Sequence, residues 1–317
     1  MCLTTNTDAH RAELGFPILP WGPLHSPSKT GVNALMARGA RDAVRPPKAT
    51  DVRVPTNVES IQEMTMADTA RELDGRVALV TGSGRNIGRS IALALAAGGA
   101  AVVVNARANR AEADAVARAI EGGGGRALAC LADVTDAGAV QAMAAAALTH
   151  FGRIDILINN AAVRDEKAID AMSIADWRAV MGVILEGAFH CVQACLPALK
   201  QSGAGAIVNI GGLSAHTGSK HRAHVIAAKA GLIGLTHALA HDLAADKVTV
   251  NCVSPGLIER PRDPGLPEPQ HHQVNRTLFG SYGTPGDVAA VVRFLCGPGG
   301  RFVNGQTIHA NGGAFLT

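Results

Sequence analysis

Aromatic residues are scarce in this 317-residue chain, since they make up 3% of it and Tyr282 is the one tyrosine. A core with so few rings has to be built from Ala, Val, Leu and Ile, and a hydrophobic share of 47% is large enough for one. A basic stripe is also missing, because the net charge is only +3 and both signs are interspersed. This composition argues against a dedicated nucleic-acid-binding protein.

The chain also lacks the usual cysteine and membrane patterns. Its six cysteines include no Cys-x-x-Cys pair, which favours small buried core residues over a zinc site. His237 and His241 are one helical turn apart but have no third ligand in sight, and we expect no metal. The sequence shows neither a run of 18 apolar residues nor a signal-peptide pattern. We therefore expect a cytoplasmic, reduced protein without a membrane partner.

Residues 1–66 differ from the rest of the chain. They carry scattered prolines and charges and show no sustained hydrophobic period. This composition predicts a disordered or loosely attached N-terminal extension. A start codon assigned too far upstream is the alternative, because Met64 and Met66 lie just before the predicted domain, residues 67–317.

From about Leu73, short apolar runs alternate with alanine-rich stretches of helical spacing. Strands are predicted at Val77–Val80, Ala101–Asn105, Ala127–Leu131, Ile154–Ile158, Ala206–Ile210, Val248–Val253 and Thr307–His309. Helices are predicted at Ile87–Ala97, Arg110–Glu121, Ala137–His150, Ile174–Lys200 and His224–Leu243. Strands that alternate with helices of this length form βαβ units. The predicted fold class is therefore α/β, a doubly wound parallel sheet of Rossmann type with helices on both faces.

A glycine-rich turn joins the first predicted strand to the first predicted helix. It reads Thr81-Gly82-Ser83-Gly84-Arg85-Asn86-Ile87-Gly88. The first N–H groups of a helix have no internal partners, and the helix dipole favours negative charge there. In this context, after a strand and before a helix, the turn predicts a cradle for the diphosphate of a dinucleotide.

With this turn, the chain resembles the short-chain dehydrogenase/reductase family over roughly residues 73–315, in particular members similar to 3-oxoacyl-ACP reductases. Further matching motifs are Asp133-Val134, Asn159-Asn160-Ala161-Ala162, Asn251, Pro255-Gly256 and Asn311-Gly312-Gly313. Asn86 replaces a glycine of the family pattern, and asparagine tolerates positive φ well enough to keep the turn. The resemblance implies that the cofactor contacts Thr81, Gly82, Ser83, Arg85, Asn86, Ile87, Gly88, Arg107, Asp133, Val134, Asn160, Ala161, Lys229, Pro255, Gly256 and Ile258.

The end of the second strand predicts the type of nicotinamide cofactor. An acid about 20 residues after the glycine turn would select NAD by binding the ribose 2′-hydroxyl, but Val104-Asn105-Ala106-Arg107 contains none. Arg85 and Arg107 instead suit a 2′-phosphate, which arginine binds in a bidentate way. NADP(H) is therefore the predicted cofactor. The alternative is that both arginines are simply solvated.

The resemblance also implies a proton-transfer site made of tyrosine, lysine, serine and asparagine, and this chain departs from it. Lys229 matches the lysine. The tyrosine, serine and asparagine positions are occupied by Val225, Gly212 and Ile184, none of which can donate a proton. Substitutes lie nearby in sequence, and the candidate catalytic residues are therefore Lys229, Ser214, His221 and His224. For each histidine the alternative is an ordinary loop or surface residue.

Two functions follow from this sequence. The first is an NADP(H)-dependent oxidoreductase that transfers a hydride between nicotinamide and a small carbonyl or alcohol substrate, with a non-standard proton donor. The second is a catalytically inactive dinucleotide-binding protein that serves as a sensor or an assembly partner. In both cases the resemblance of Ile174–Lys200 and of the helix holding Lys229 to the family's dimerisation helices implies a homodimer or homotetramer.

Overall fold

A parallel sheet of seven strands forms the centre of the computed structural model, which describes residues 71–259 and 276–317. Its strand order is β3-β2-β1-β4-β5-β6-β7, and every neighbouring pair is parallel. The strands are β1 Val77–Val80, β2 Ala101–Ala106, β3 Ala127–Leu131, β4 Ile156–Asn159, β5 Ala206–Ile210, β6 Thr249–Pro255 and β7 Thr307–Ala310. The predicted α/β fold class is thus confirmed. The predicted extension, residues 1–66, lies outside the described residues.

Helices cover both faces of this sheet. They are α1 Asn86–Ala97, α2 Arg110–Gly122, α3 Ala137–Phe151, α4 Ile174–Gln201, α5 Ser214–Thr217, α6 Ala223–Asp242 and α7 Pro285–Cys296. Buried side chains of α1, α2 and α7 share one apolar core with the sheet, and those of α3, α4 and α6 share another. Both cores consist mainly of Ala, Val, Leu and Ile, as the scarcity of aromatic residues predicts.

Apart from shifts of one or two residues at element ends, the structure departs from the predicted elements in three places, of which the unpredicted one-turn helix α5 is the smallest. The helix α7 was not predicted, although Thr284 and Asp287 form a capping box and Pro285 occupies the first helical turn, which is a strong helix start. The single helix predicted at Ile174–Lys200 contains a π-helical turn over Gly182–Glu186. Such turns occur often at functional sites, and this one carries the position where the family has its asparagine.

Two helices, α4 and α6, are long and apolar enough to pass a length-and-composition test for membrane spans. Core helices of globular domains pass the same test, and about half of the apolar stretch of α4 and 39% of that of α6 are buried against the rest of the chain. The rest of the apolar stretch of each helix is not covered by the described part of the chain.

The topology fixes where a ligand can bind. The strand order reverses between β1 and β4, because β2 and β3 lie on one side of β1 and β4 to β7 lie on its other side. In open parallel sheets, ligands bind at the carboxyl ends of the strands at such a reversal. The glycine turn after β1 and the segment after β4 both lie at this edge.

Candidate active site

The turn between β1 and α1 has the backbone that the glycine pattern predicts. Gly82 has φ +60° and Asn86 has φ +49°, so asparagine adopts the left-handed conformation that glycine usually supplies. A Cβ on Gly88 would clash with the carbonyl oxygen of Gly82, so only glycine lets α1 start this close to the strand. Arg85 precedes the helix and gives it no side-chain cap. The first N–H groups of α1 are therefore suited to binding an anion, and a diphosphate fits this cradle.

Thr81 and Asn160 brace the turn through contacts inside the protein. The Thr81 hydroxyl oxygen accepts hydrogen bonds from the backbone N–H groups of Asn160 (2.9 Å) and Ala161 (3.0 Å). The Asn160 amide nitrogen donates to the carbonyl oxygens of Thr81 (2.9 Å) and Gly82 (3.0 Å). The Ser83 hydroxyl donates to the last carbonyl of β1 at 2.7 Å. These polar side chains shape the cofactor cradle by fixing its backbone.

The end of β2 holds two features that bear on cofactor choice. Asn105 is buried there, its side-chain oxygen accepts the N–H of Gly82 at 3.1 Å, and its amide nitrogen donates to the carbonyl of Ala132 at 3.1 Å. It thus ties β2 to the turn and to the end of β3. Arg85 and Arg107 are both exposed, which leaves two guanidinium groups at a corner of the site that carries no β2 carboxylate.

Asp133 and Val134 follow β3 and were predicted to contact the cofactor. The Asp133 carboxylate accepts hydrogen bonds from the backbone N–H (3.0 Å) and hydroxyl (2.8 Å) of Thr135. These bonds, with a smaller contribution from the charge of Arg107, keep the pKa of Asp133 below its ordinary value. Val134 is buried against Gly187 of α4, where an added Cβ would lie 2.7 Å from a Val134 methyl group. Val134 is therefore a packing residue as well as a candidate contact.

Pro255, Gly256 and Ile258 lie where β6 ends. The carbonyl of Pro255 accepts the N–H of Leu213 at 3.0 Å, which joins this end of β6 to the segment after β5. A Cβ on Gly256 would lie 2.6 Å from Cα of Asn311, so glycine is required by this close approach. Ile258 is half-buried beside them. This corner therefore has the tight backbone that the family motif implies.

Two of the replaced catalytic positions are packed into an apolar cluster. Val225 on α6 is 3% exposed and Ile184 in the π-helical turn is 2% exposed. Their cluster also contains Val180, Ala188, Ala228 and Leu232. The positions of the tyrosine and the asparagine are thus filled by aliphatic groups of the same cluster, and they contribute to the core. Neither side chain offers a hydroxyl or an amide that could hold a proton or a water molecule.

The third replaced position leaves space. An added Cβ on Gly212 would meet no described atom within 4 Å, and the residue is half-buried in the segment that follows β5. Of the three positions that the resemblance assigns to tyrosine, asparagine and serine, two are thus closed by packing, and Gly212 is open among the described residues.

Lys229 is the retained member of the set and lies on α6. Its side chain is buried, and its Nζ donates a hydrogen bond to the carbonyl of Ile210, the last residue of β5. Burial lowers the pKa of Lys229 from its ordinary value near 10.5 to about 8; the Cys252 thiol raises it, and Arg164 and Arg222 lower it further. An ammonium group with this pKa is charged at neutral pH and gives up its proton readily.

The predicted substitutes are spread over the segments around α6. Ser214 is half-buried and begins the short helix α5. His221 is exposed, has φ +60°, and accepts the backbone N–H of Lys167 through its carbonyl at 2.6 Å. It lines an open cavity of about 430 Å³ between segments 167–170 and 219–223. His224 is fully buried, its Nε2 lies 3.8 Å from a carboxylate oxygen of Asp165, and both ring nitrogens lack a hydrogen-bond partner among the described residues.

One feature of the site was missed from the sequence. Four polar side chains occupy paired positions on β4 to β7, and we refer to Asn159, Asn209, Cys252 and Thr307 as the polar row. Asn159 donates to Asn209 at 2.8 Å, and Asn209 donates to the Thr236 hydroxyl of α6 at 2.9 Å. The row therefore faces α6, the helix that carries Lys229. Single polar residues inside otherwise apolar strands were the sequence signal for it.

A glycine turn at a helix start, next to the reversal of strand order, defines a Rossmann-type dinucleotide-binding protein. Comparison with known proteins identifies the family within this class. The family model described as Enoyl-(Acyl carrier protein) reductase matches residues 82–314. The chain belongs to the short-chain dehydrogenase/reductase family of oxidoreductases.

Relatives and solved structures agree with this assignment. The 3-oxoacyl-[acyl-carrier-protein] reductase FabG of Staphylococcus aureus is 37% identical over 240 residues, covering 75% of this chain and 98% of that protein. The (2S)-[(R)-hydroxy(phenyl)methyl]succinyl-CoA dehydrogenase subunit BbsD of Thauera aromatica is 39% identical over 248 residues, covering 77% and 98%. The structure of a short chain dehydrogenase from Burkholderia cenocepacia in complex with NADP is 37% identical, with a TM-score of 0.72 and coverage of 77% and 99%.

Proposed function

We propose that this protein is an NADP(H)-dependent oxidoreductase that interconverts a carbonyl compound and an alcohol without a tyrosine proton donor. The observation that carries the proposal is the buried Lys229, held at the end of β5 beside the open space at Gly212. When bound, NADP(H) supplies or accepts the hydride. The residues of this chain have to bind the cofactor, admit the substrate and move one proton.

The cofactor preference is argued from Arg85, Arg107 and the buried Asn105. A carboxylate at the end of β2 would repel a 2′-phosphate, and the structure has an amide there that is engaged with the backbone. Two exposed guanidinium groups can bind the phosphate by charge-assisted hydrogen bonds. The relative from Burkholderia cenocepacia, which was solved with NADP, supports the same choice.

We therefore expect NADPH to bind more tightly than NADH, and Arg107→Ala to remove most of that difference. A hydrogen bond to a charged group contributes about 1.5–3 kcal/mol, so the variant should lose about 10- to 100-fold in NADPH affinity. NADH affinity should stay within about twofold, because the variant removes no contact to a free 2′-hydroxyl. Titration of both cofactors by fluorescence or calorimetry gives the comparison. Arg110→Ala, on the exposed start of α2, is the matched control. Equal affinities in the unchanged protein would contradict the prediction.

For the proton donor we favour Lys229 among the four candidates. Val225, Gly212 and Ile184 are excluded by chemistry. His221 is exposed on the segment before α6, and His224 is buried next to Asp165. Ser214 begins α5, and a serine hydroxyl does not titrate near neutral pH. Nζ of Lys229 is a titrating atom at the end of the central strand β5, two residues before the open position Gly212. In the reduction direction its ammonium group gives a proton to the substrate oxygen, and in oxidation the neutral amine accepts one.

The substrate class is broad in this proposal. Named relatives act on acyl-carrier-protein and CoA thioesters, and a small-molecule carbonyl or alcohol is the shared element. Since Gly212 carries no side chain and the space beside it is open, this chain accommodates a bulkier group next to the reacting carbon than a serine would allow. A panel of carbonyl compounds and alcohols, followed through the absorbance of reduced nicotinamide, tests the activity directly.

A second candidate function is supported by the apolar cluster around Val225 and Ile184. Close aliphatic packing at two former relay positions is also what a dinucleotide-binding protein without catalysis would show. Such a protein would act as a sensor or an assembly partner. The two functions share the cofactor cradle and differ in whether Lys229 transfers protons.

Assembly is proposed from the outer faces of α4 and α6. Much of the apolar surface of both helices is not covered by the rest of the chain, and Phe189 on α4 is 46% exposed. Apolar patches of this kind mark symmetric interfaces. We expect a dimer or tetramer by light scattering at micromolar concentration, and a lower mass for Phe189→Glu. Phe294→Glu, on the exposed side of α7, which packs on the other face of the sheet, should leave the assembly through α4 and α6 intact. A monomeric mass for the unchanged protein would contradict the prediction.

A further inference from the structure

The side of the site that faces the π-helical turn of α4 is apolar. In the position of the family's asparagine, Ile184 is 2% exposed and belongs to the apolar cluster with Val225. A donor that gives up one proton per turnover has to recover it from water. If Lys229 is that donor, the new proton has to reach it along another side of α6. The polar groups around Nζ of Lys229 are the candidates for this route.

Polar groups continue from Lys229 towards β6. Its Nζ is bonded to the carbonyl of Ile210, and the next residue, Gly211, is so close to Cys252 that an added Cβ would lie 2.8 Å from Sγ. The ammonium group and the thiol therefore lie at the same peptide unit. The thiol raises the pKa of Lys229, and burial raises that of Cys252 to about 11 although Lys229 lowers it. Cys252 is thus a neutral thiol, which can pass a proton to Lys229 only while it takes another from the side of Thr307.

From Cys252 the polar side chains step outward to β7. Thr307 is paired with Cys252 and lowers the pKa of its thiol, although its hydroxyl oxygen makes no hydrogen bond within the described residues. Ser254 and His309 form the next pair on the same face of the sheet, since both are two residues further along their strands. Neighbouring strands lie about 4.8 Å apart, so two strand steps from the end of β5 cover about 10 Å, and the two-residue step from Thr307 to His309 adds about 6.6 Å.

The route ends at two histidines next to the C-terminal segment. The rings of His216 and His309 are 4.5 Å apart, and both lie about 5 Å from the ring of Phe315. Both imidazoles have a pKa below the ordinary value because of burial, and His216 lowers that of His309 further. Both are only half-buried and can therefore exchange protons with solvent.

Buried polar atoms without partners mark the same path. Ser254 Oγ, His309 Nδ1 and His216 Nε2 are each inaccessible, and none has a hydrogen-bond partner in the described part of the chain. Ser254 is completely buried. Native proteins pair nearly all such atoms with protein groups or ordered water, and a water molecule needs two to four polar partners of this kind. With Thr307 Oγ1, which also lacks such a partner among the described residues, four orphaned atoms on one path point to a function for that path.

We propose that Lys229 recovers its proton through Cys252, Thr307, Ser254 and the pair His309–His216; the proposal rests on the proposed function in taking Lys229 as the donor. Each proton delivered to a substrate oxygen breaks an Nζ–H bond and leaves a neutral amine. The amine takes one proton from the path, and the imidazole pair takes one from water, so one proton enters for each that leaves and no electrons move. In oxidation the same protons run outward. His309 and His216 are relay residues and do not touch the substrate.

The direct test measures proton access to Lys229 apart from turnover. In protein labelled with ¹⁵N-lysine, the exchange of the Lys229 Nζ protons with water is followed by NMR, with Lys229→Arg assigning the signal. His216→Phe with His309→Phe keeps two aromatic rings against Phe315 and removes both titrating groups. This exchange should slow by about tenfold or more, while the pKa of Lys229 stays near 8. His150→Phe, at an exposed position in the last turn of α3, is the control and should change nothing.

The rate of turnover is the second measurement that tests the proposed path. The His216→Phe, His309→Phe variant should be slower at neutral pH, and added imidazole buffer should restore part of the lost rate, which a merely structural defect would not allow. If the double variant does not fold, Ser254→Ala replaces it and should slow the same exchange. Unchanged exchange in a folded variant overturns the proposal. Slower exchange in a protein that shows no turnover at all would support the path and refute the proposed enzyme function.

Discussion

Replacing Lys229 with methionine should lower turnover by about 10²- to 10⁴-fold, the loss expected when a general acid is removed. Methionine is close to lysine in length and cannot donate to the carbonyl of Ile210, so the buried position keeps its volume but loses its proton. The variant should also bind the cofactor more weakly, because Lys229 is one of the predicted cofactor contacts. Turnover therefore has to be measured at saturating cofactor, so that the lost chemistry is separated from lost binding.

The pH dependence makes this prediction specific to Lys229. Burial lowers its pKa to about 8, so the ammonium form needed for reduction is lost as the pH rises through that value. Reduction should fall above about pH 8 and oxidation should rise over the same range. Lys229→Arg keeps the charge but does not titrate below about pH 12, so it should remove the transition near pH 8 together with most of the activity.

Histidine replacements identify the alternative outcome. His221→Gln with His224→Gln should leave the transition near pH 8 in place, since neither residue is the donor under this assignment. If that double variant loses turnover while Lys229→Met retains it, the donor is a histidine and the assignment to Lys229 is wrong. A transition near neutrality that disappears with the histidines would likewise identify a histidine as the donor.

The fold could be predicted from the sequence because its signals are local. Each strand is an apolar run bounded by turn residues, and each predicted helix has alanine-rich spacing, so the βαβ order follows without long-range information. The turn at Gly82 and Asn86 was predictable for the same reason, since its φ values depend on residue types within one segment. The helix Pro285–Cys296 was not predicted, although the sequence contains its capping-box residues Thr284 and Asp287.

The site was predictable only in part, because the environment of its residues depends on contacts between segments that are distant in the sequence. The sequence identifies Val225 and Ile184 as replacements, but it cannot tell that they belong to one apolar cluster, since they lie on different helices. The polar row likewise joins four strands and becomes visible only when their register is known. The contacts of Thr81 and Asn160 add a role that the sequence did not indicate, because both side chains support the cradle from within.

The packing around Gly212 and Val225 also decides how well the chain tolerates the serine and the tyrosine of the family pattern. Gly212→Ser adds a side chain where no described atom lies within 4 Å of the new Cβ, so it should fold normally. Val225→Tyr places a large ring in a position that is 3% exposed and surrounded by aliphatic groups. Overpacking of this kind costs about 1–3 kcal/mol, and we expect a lower melting temperature for every variant that carries it.

The double variant Gly212→Ser, Val225→Tyr should distinguish the two functions. If the natural protein is an enzyme that uses Lys229, it already turns over substrates from the panel. The added tyrosine then competes for the same position and changes the pH dependence near 8, with a slower rate because the cluster around Ile184 is disturbed. If the natural protein only binds the dinucleotide, it shows no turnover, whereas the variant gains it, by about 10²-fold or more over the background.

The control for this comparison is Gly212→Ser, Val225→Phe, which matches the tyrosine in size but has no hydroxyl. It reproduces the overpacking around Val225 and cannot donate a proton. A gain of turnover in the tyrosine variant that is absent in the phenylalanine variant is therefore due to proton donation, and it would refute the enzyme function proposed for the natural chain. Turnover by the natural protein that falls equally in both variants would instead show that its own site, built on Lys229, performs the reaction.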